Sequence, residues 1–143
     1  MIPMELREIQ IQIGNDPFES PVVVLCEREG TRTLPIFIGH REAWALDSAV
    51  HGEISIRPMT HDLLINAIED LGASLEEIQV DALRDNTFFG KLVLRTASGS
   101  EVRVDSRPSD ALVLAMKKGV PVYVDDSVLS EVNPPSPDEE PEI

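Results

Sequence analysis

Cysteine is almost absent: Cys26 is the single one in 143 residues, so the chain forms no internal disulfide and offers no cysteine-based zinc site. It stands in "PVVVLCE", where a small buried hydrophobe is the expected role. Long apolar runs are missing as well, and none approaches the roughly 20 residues of a membrane span. The opening "MIPMELREIQ" lacks the basic-then-apolar order of a secretory signal, which leads us to expect a cytoplasmic protein with no membrane partner. Bases are scarce, with 12 Lys and Arg against 26 Asp and Glu and a net charge of −14. From Asp125 onward there are seven acids and no Lys or Arg, so the first 124 residues carry a net −7. That balance excludes a protein that holds nucleic acid by bulk charge alone, and leaves local arginine clusters or metal ions as the means of binding a phosphate. The sequence also lacks a phosphate-cradling glycine loop, a Gly-x-Ser-x-Gly elbow and a His-Glu-x-x-His pair, which removes the P-loop, serine-hydrolase and zincin readings.

What is present divides by hydrophobic period. "LREIQIQI" alternates like a strand with one wet face, and "PVVVLCE" and "RTLPIFI" flank a turn as a hairpin. "HREAWALDSAVHG" shifts to helical spacing, with Ala43, Leu46 and Val50 on one side and Gly52 as a stop. Trp44 in this helix is expected in the core, with base stacking the rarer alternative. In "THDLLINAIEDLG" the stripe Leu63, Leu64, Ala67, Ile68 and Leu71 predicts an amphipathic helix ended by Gly72. "LEEIQV" then repeats "LREIQI" at a constant offset, and is followed by "TFFGKLVLRT", "SEVRVDS", the helix "SDALVLAMKKG" and a closing "PVYV". These elements predict an α+β fold of duplicated strand-rich units, each three strands plus helix, over about residues 4–72 and 73–124. They would form one curled, barrel-like mixed sheet with helices packed on it. One domain over residues 1–130 is expected, followed by an acidic, Pro-rich, disordered tail at 131–143.

Two stretches enter a helix through Arg-Pro: "RPMTHDLL" and "RPSDALVL". Capping alone accounts for much of this. Thr60 and Ser109 are suited to the N-cap, and Asp62 and Asp110 to the first turn, where the helix dipole favours a carboxylate by about 0.3–1 kcal/mol. Chemistry is the sharper reading. Arg57 and Arg107 would grip a phosphate, while Asp105, Asp110 and Glu42 would converge on Mg²⁺ or Mn²⁺. His61 is the best-placed acid–base group.

At these residues the sequence resembles the bifunctional nuclease family. The matching stretches are "LPIFIGHREAWAL", "RPMTHDLL", "NTFFGKLVL", "VDSRPSDALVLA" and "VPVYV". The resemblance implies a fold of duplicated units around a barrel-like sheet, and activity on both RNA and DNA, as in plant members. The family's pattern falls on Glu42, Arg57, Thr60, His61, Asp62, Asp105, Arg107, Ser109 and Asp110.

Two readings follow. In the first the chain is a nuclease acting on RNA and DNA, with His61, Asp62, Asp105 and Asp110 catalytic, Arg57, Arg107, Thr60 and Ser109 binding substrate, and Asp105, Asp110 and Glu42 holding a metal. In the second it is a non-catalytic oligomeric binding or regulatory module whose Arg and Asp residues are caps and ion pairs; a homo-oligomer is expected in either.

Overall fold

A computed structural model describes residues 1–11 and 20–135. The chain runs β1 (Ile2–Gln10), β2 (Val22–Glu27), β3 (Thr33–Phe37), α1 (His40–Val50), α2 (Thr60–Asp70), β4 (Ser74–Arg84), β5 (Thr87–Arg95), β6 (Glu101–Ser106), α3 (Pro108–Lys118), β7 (Val122–Val124) and α4 (Asp126–Val132). The α+β class is as expected. Among the described residues seven strands make one sheet in the order β3-β2-β1-β7-β4-β5-β6, antiparallel except where β7 lies parallel to β4. Its edges, β3 and β6, do not pair with each other, so the sheet is open and the expected barrel-like closure is corrected. Among the described residues no helix is long and apolar enough to cross a membrane.

Strand chemistry explains the register. In β5, Leu92 and Leu94 turn to the core, and the alternation of side chains sends Lys91 and Val93 to the opposite face. β1 and β4 each break register at the same motif position, between Leu6 and Glu8 and between Leu75 and Glu77. A bulge of this kind bends a strand and sharpens its twist. Cys26, on β2, is only half-buried.

Helix α3 is the buried helix of the molecule. Ala111, Leu112, Val113, Leu114 and Ala115 are all buried as it packs on β4, β5 and α1. Burying each of the larger side chains contributes about 1.5–3 kcal/mol, so this helix is anchored by its centre as well as its ends. Gly119 at its C-cap takes the left-handed conformation, φ 65°.

Helix α2 is the reverse. It contains no buried residue; Leu63 is 61% and Leu71 is 87% exposed, and only Ile65 and Ile68 pack on the core. The helix was legible but its buried face was not: the stripe expected to face inward is largely exposed. Helix α4 runs to Val132, past residue 130, the expected boundary of the domain. It ties β3 to the end of β4: Asn133 donates to the Thr33 carbonyl at 2.8 Å, Arg32 meets Asp126 at 2.9 Å, and the Asp125 N–H donates to the Val80 carbonyl at 3.0 Å. The rest of the expected tail, from residue 136, lies outside the described residues.

Candidate functional site

Helices α1, α2 and α3 each place an acid at their third position: Glu42, Asp62 and Asp110. The position suits them, since it faces the positive end of the helix. The caps sit one or two residues upstream of where the sequence suggested. Met59, not Thr60, caps α2, and its N–H donates to Asp62 Oδ2 at 2.9 Å. Arg107, not Ser109, caps α3, with Pro108 as the first helical residue. Pro108 holds Arg107 extended at φ −66°, ψ 140°, and this geometry folds its side chain back over the helix mouth.

The Arg107 guanidinium grips Asp110 with two bonds, Nε to Oδ2 at 2.9 Å and Nη2 to Oδ1 at 3.2 Å. Its Nη1 reaches Glu42 Oε1 at 3.3 Å. From the other side, His61 Nε2 meets Asp110 Oδ1 at 2.9 Å. The result is one continuous chain, His61–Asp110–Arg107–Glu42, assembled from the first turns of three helices. Burial pushes the Asp110 pKa up, but the bonds from Arg107 and His61 outweigh it and hold the carboxyl below its ordinary value. Arg107 is correspondingly raised, first by its bond to Asp110. With its Nε2–H given to Asp110, a neutral His61 carries its basic lone pair on Nδ1. His61 also lines a hollow of about 720 Å³ between α1 and the start of α2, with Trp44, Arg41 and Thr60 in its wall.

The remaining expected site residues lie elsewhere. Asp62 is bonded to Lys117 at 2.9 Å, and that bond first, then the Met59 N–H, keeps its pKa low. It fastens α2 to the last turn of α3 and does not join Asp110. Asp105 meets Lys91 at 3.4 Å on the sheet face turned away from the core. The five-residue spacing that suggested a pair with Asp110 crosses the strand-to-helix turn, and strand alternation sends the two to different surroundings. Ser109 is buried. Arg57 is exposed and makes no ion pair among the described residues; it lines a second hollow of about 570 Å³ beside Asp62 and Lys117, and no contact links it to Arg107.

These placements bear on a metal. Both carboxylates near His61 are engaged by Arg107, and Asp105 is with Lys91. Among the described residues no three His, Cys, Asp or Glu side chains are grouped to hold an ion. The residues present do not fit the Mg²⁺ or Mn²⁺ site expected from Asp105, Asp110 and Glu42.

Sequence reasoning misplaced Trp44, which is 61% exposed instead of in the core. The signal was available. Ala43, Leu46 and Ala49 are the buried residues of α1, and Trp44 lies one step, about 100°, off that stripe.

Two proteins from two strains of Mycobacterium tuberculosis, both described as uncharacterized, are 38% identical to this chain over 135 residues, covering 94% of it and 79% of their own length. A family model described as the bifunctional nuclease domain matches residues 23–136, a span that includes all three helix mouths. The chain belongs to the bifunctional nuclease domain family.

Proposed function

We propose that this domain hydrolyses phosphodiester bonds in RNA and DNA by acid–base catalysis centred on His61. The observation that carries this reading is the His61–Asp110–Arg107–Glu42 chain beside an open hollow. Asp110 orients the imidazole, and protonated His61 donates from Nδ1 to the leaving oxygen while the attacking water releases its own proton to bulk solvent as it bonds to phosphorus. Arg107 has five N–H donors, three of them engaged, and its side chain is 64% exposed, so two donors remain for a non-bridging phosphate oxygen. Once His61 is protonated, two positive groups balance the two carboxylates, which removes the repulsion a lone Asp110 would exert on the substrate. Arg57 and Thr60 act as outer contacts to the strand, while Asp62, Asp105 and Ser109 serve structure. The same reading treats the fold as a duplicated unit, supported by the matched bulges in β1 and β4 and the matched acids Glu42 and Asp110.

The test is cleavage of labelled single-stranded RNA and DNA by tag-free protein, with chelator and with added Mg²⁺ or Mn²⁺, beside His61→Ala and Asp110→Ala. Cleavage should persist in chelator and fall about 10²–10⁴-fold in His61→Ala. Undiminished cleavage by both variants, each shown to be folded, would mean that the reaction belongs to another site or another protein.

The alternative of a non-catalytic homo-oligomeric module is favoured by one observation. Ile54, Ile56, Leu63 and Leu71 are exposed around α2, and apolar clusters of this kind mark interaction surfaces. Such a module would show no cleavage with any metal and would sediment as more than one copy.

A further inference from the structure

The hollow between α1 and α2 contains features that the acid–base chain does not use. Trp44 projects from the exposed side of α1 while Ala43, Leu46 and Ala49 bury the other side, so the indole is held in place by a helix fixed elsewhere. Beside it in the same wall stand His40 and Arg41, and Ile54 adds an apolar surface. Arg41 makes no ion pair among the described residues, although this chain has 26 acids for 12 bases and most of its other arginines are paired. His61 completes the wall and joins the hollow to Asp110. At about 720 Å³ the space is of the size that accepts a small organic ligand.

An aromatic face, an arginine with no ion pair among the described residues and an acid–base group in one cavity suit a base, its phosphate and the adjoining phosphodiester, with Glu53 the one acid in the wall and Lys117 beside it. We infer that this hollow is a nucleotide subsite: an unpaired base stacks on Trp44, its phosphate meets Arg41 and His40, and the adjoining phosphodiester reaches His61. Stacking on an aromatic face tolerates any base, since every base has a π-face, so the site selects single strands over duplexes rather than one sequence. In a duplex the bases are already stacked on each other and cannot enter. The assignment rests on the phosphodiester reading for its substrate class, and extends it by naming the strand state and the residues that recognise it.

Trp44 is the only tryptophan in the chain, so its fluorescence reports this hollow and nothing else. Two probes would be titrated in chelator: thymidine 5′-monophosphate, which contains no phosphodiester, and a single-stranded dT octamer against the His61→Ala protein. Quenching by both is expected, with none by a blunt duplex of the same length. By anisotropy of a labelled octamer in the His61→Ala background, adding Trp44→Ala should weaken binding about ten-fold or more. In the same background Arg41→Ala should weaken binding too, with the slope of log affinity against log salt reduced by about 0.7. Because both side chains face the hollow, both variants should keep the wild-type far-UV circular dichroism.

Unchanged emission at saturating octamer, or equal affinity with and without Trp44→Ala in the His61→Ala background, overturns the assignment. So does emission that depends on protein concentration alone together with a dimer that Trp44→Ala disperses, since the hollow is then covered by a second copy. Quenching without cleavage leaves the subsite standing and removes hydrolysis; cleavage unaffected by Trp44→Ala removes only the subsite.

Discussion

Asp110 loses part of its hydration at the mouth of α3, yet Arg107 and His61 together hold its pKa below the ordinary carboxylate value. A carboxylate whose pKa is depressed by folding stabilises the native state fully above its unfolded pKa. That contribution is lost as pH falls through the lower folded value. Asp62, lowered by Lys117 and the Met59 N–H, acts in the same direction and the same window. Asp110→Asn should therefore lower stability at neutral pH by about 1 kcal/mol, a figure discounted for the solvent that reaches the cluster. It should also flatten the loss of stability below about pH 4. Urea unfolding at intervals from pH 2 to 7 measures both; an unchanged acid limb would show that the ion pair contributes nothing in solution. At this scale the sequence was informative about residue type and weak about partners. First-turn acids at 42, 62 and 110 follow from helix physics, but only the packing of α1 and α2 on α3 decides that Glu42 and His61 reach Arg107 and Asp110 while Asp62 turns to Lys117.

The β6–α3 corner shows how an element fixes the site. Gly90, in the centre of β5, lies under this corner: a Cβ built there would stand 3.0 Å from the Ser106 carbonyl oxygen and 3.4 Å from Pro108 Cα. Those neighbours are backbone atoms and cannot rotate away, so Gly90→Ala must shift the turn that carries Arg107. The expected cost is about 1–3 kcal/mol, typical of overpacking, accompanied by a fall in cleavage. Thermal unfolding and the cleavage assay, run on the same preparation, check both parts; wild-type values in each would mean that the corner is not held by this contact. Most elements were legible because period and turn chemistry agree, as in the hairpin of β2 and β3 or the stop at Gly52. Helix α4 was not, because seven residues show too little of a helical period and their acidic setting reads as tail. Its one clear sign was Asp125, whose carboxylate accepts the Ser127 N–H at 2.9 Å as an N-cap. Helix α2 misled in another way: its apolar stripe is real, but the spacing of a stripe does not say whether its own chain covers it.

At the scale of the molecule the sheet has two wings, β1–β2–β3 and β4–β5–β6, each a run of antiparallel neighbours. β1 and β4 do not pair with each other; the three residues of β7 lie between them, Val122 opposite Met4 on one side and Ile78 on the other. Val122 and Val124 are buried and join the cores of both wings. A chain ending at Gly119 should therefore fail to give a cooperative unfolding transition, although it keeps six strands and three helices. Circular dichroism melting of that truncation tests the point, and a sharp transition near the full-length Tm would show that the wings hold together without β7. The order of the wings could not be read from the sequence, because nothing in "PVYV" distinguishes a central strand from an edge strand except its lack of alternating polar residues.

The placement of β7 has a consequence for biosynthesis. A nascent chain emerging from the ribosome can complete both hairpin runs and still leave a raw edge on β1 and another on β4 until residue 124 has cleared the exit tunnel. During that interval the two bare edges are open to each other and to neighbouring chains. β7, the last of the described strands to be translated, thus sets how long those edges stay bare, and a pause in translation just before it would prolong that exposure.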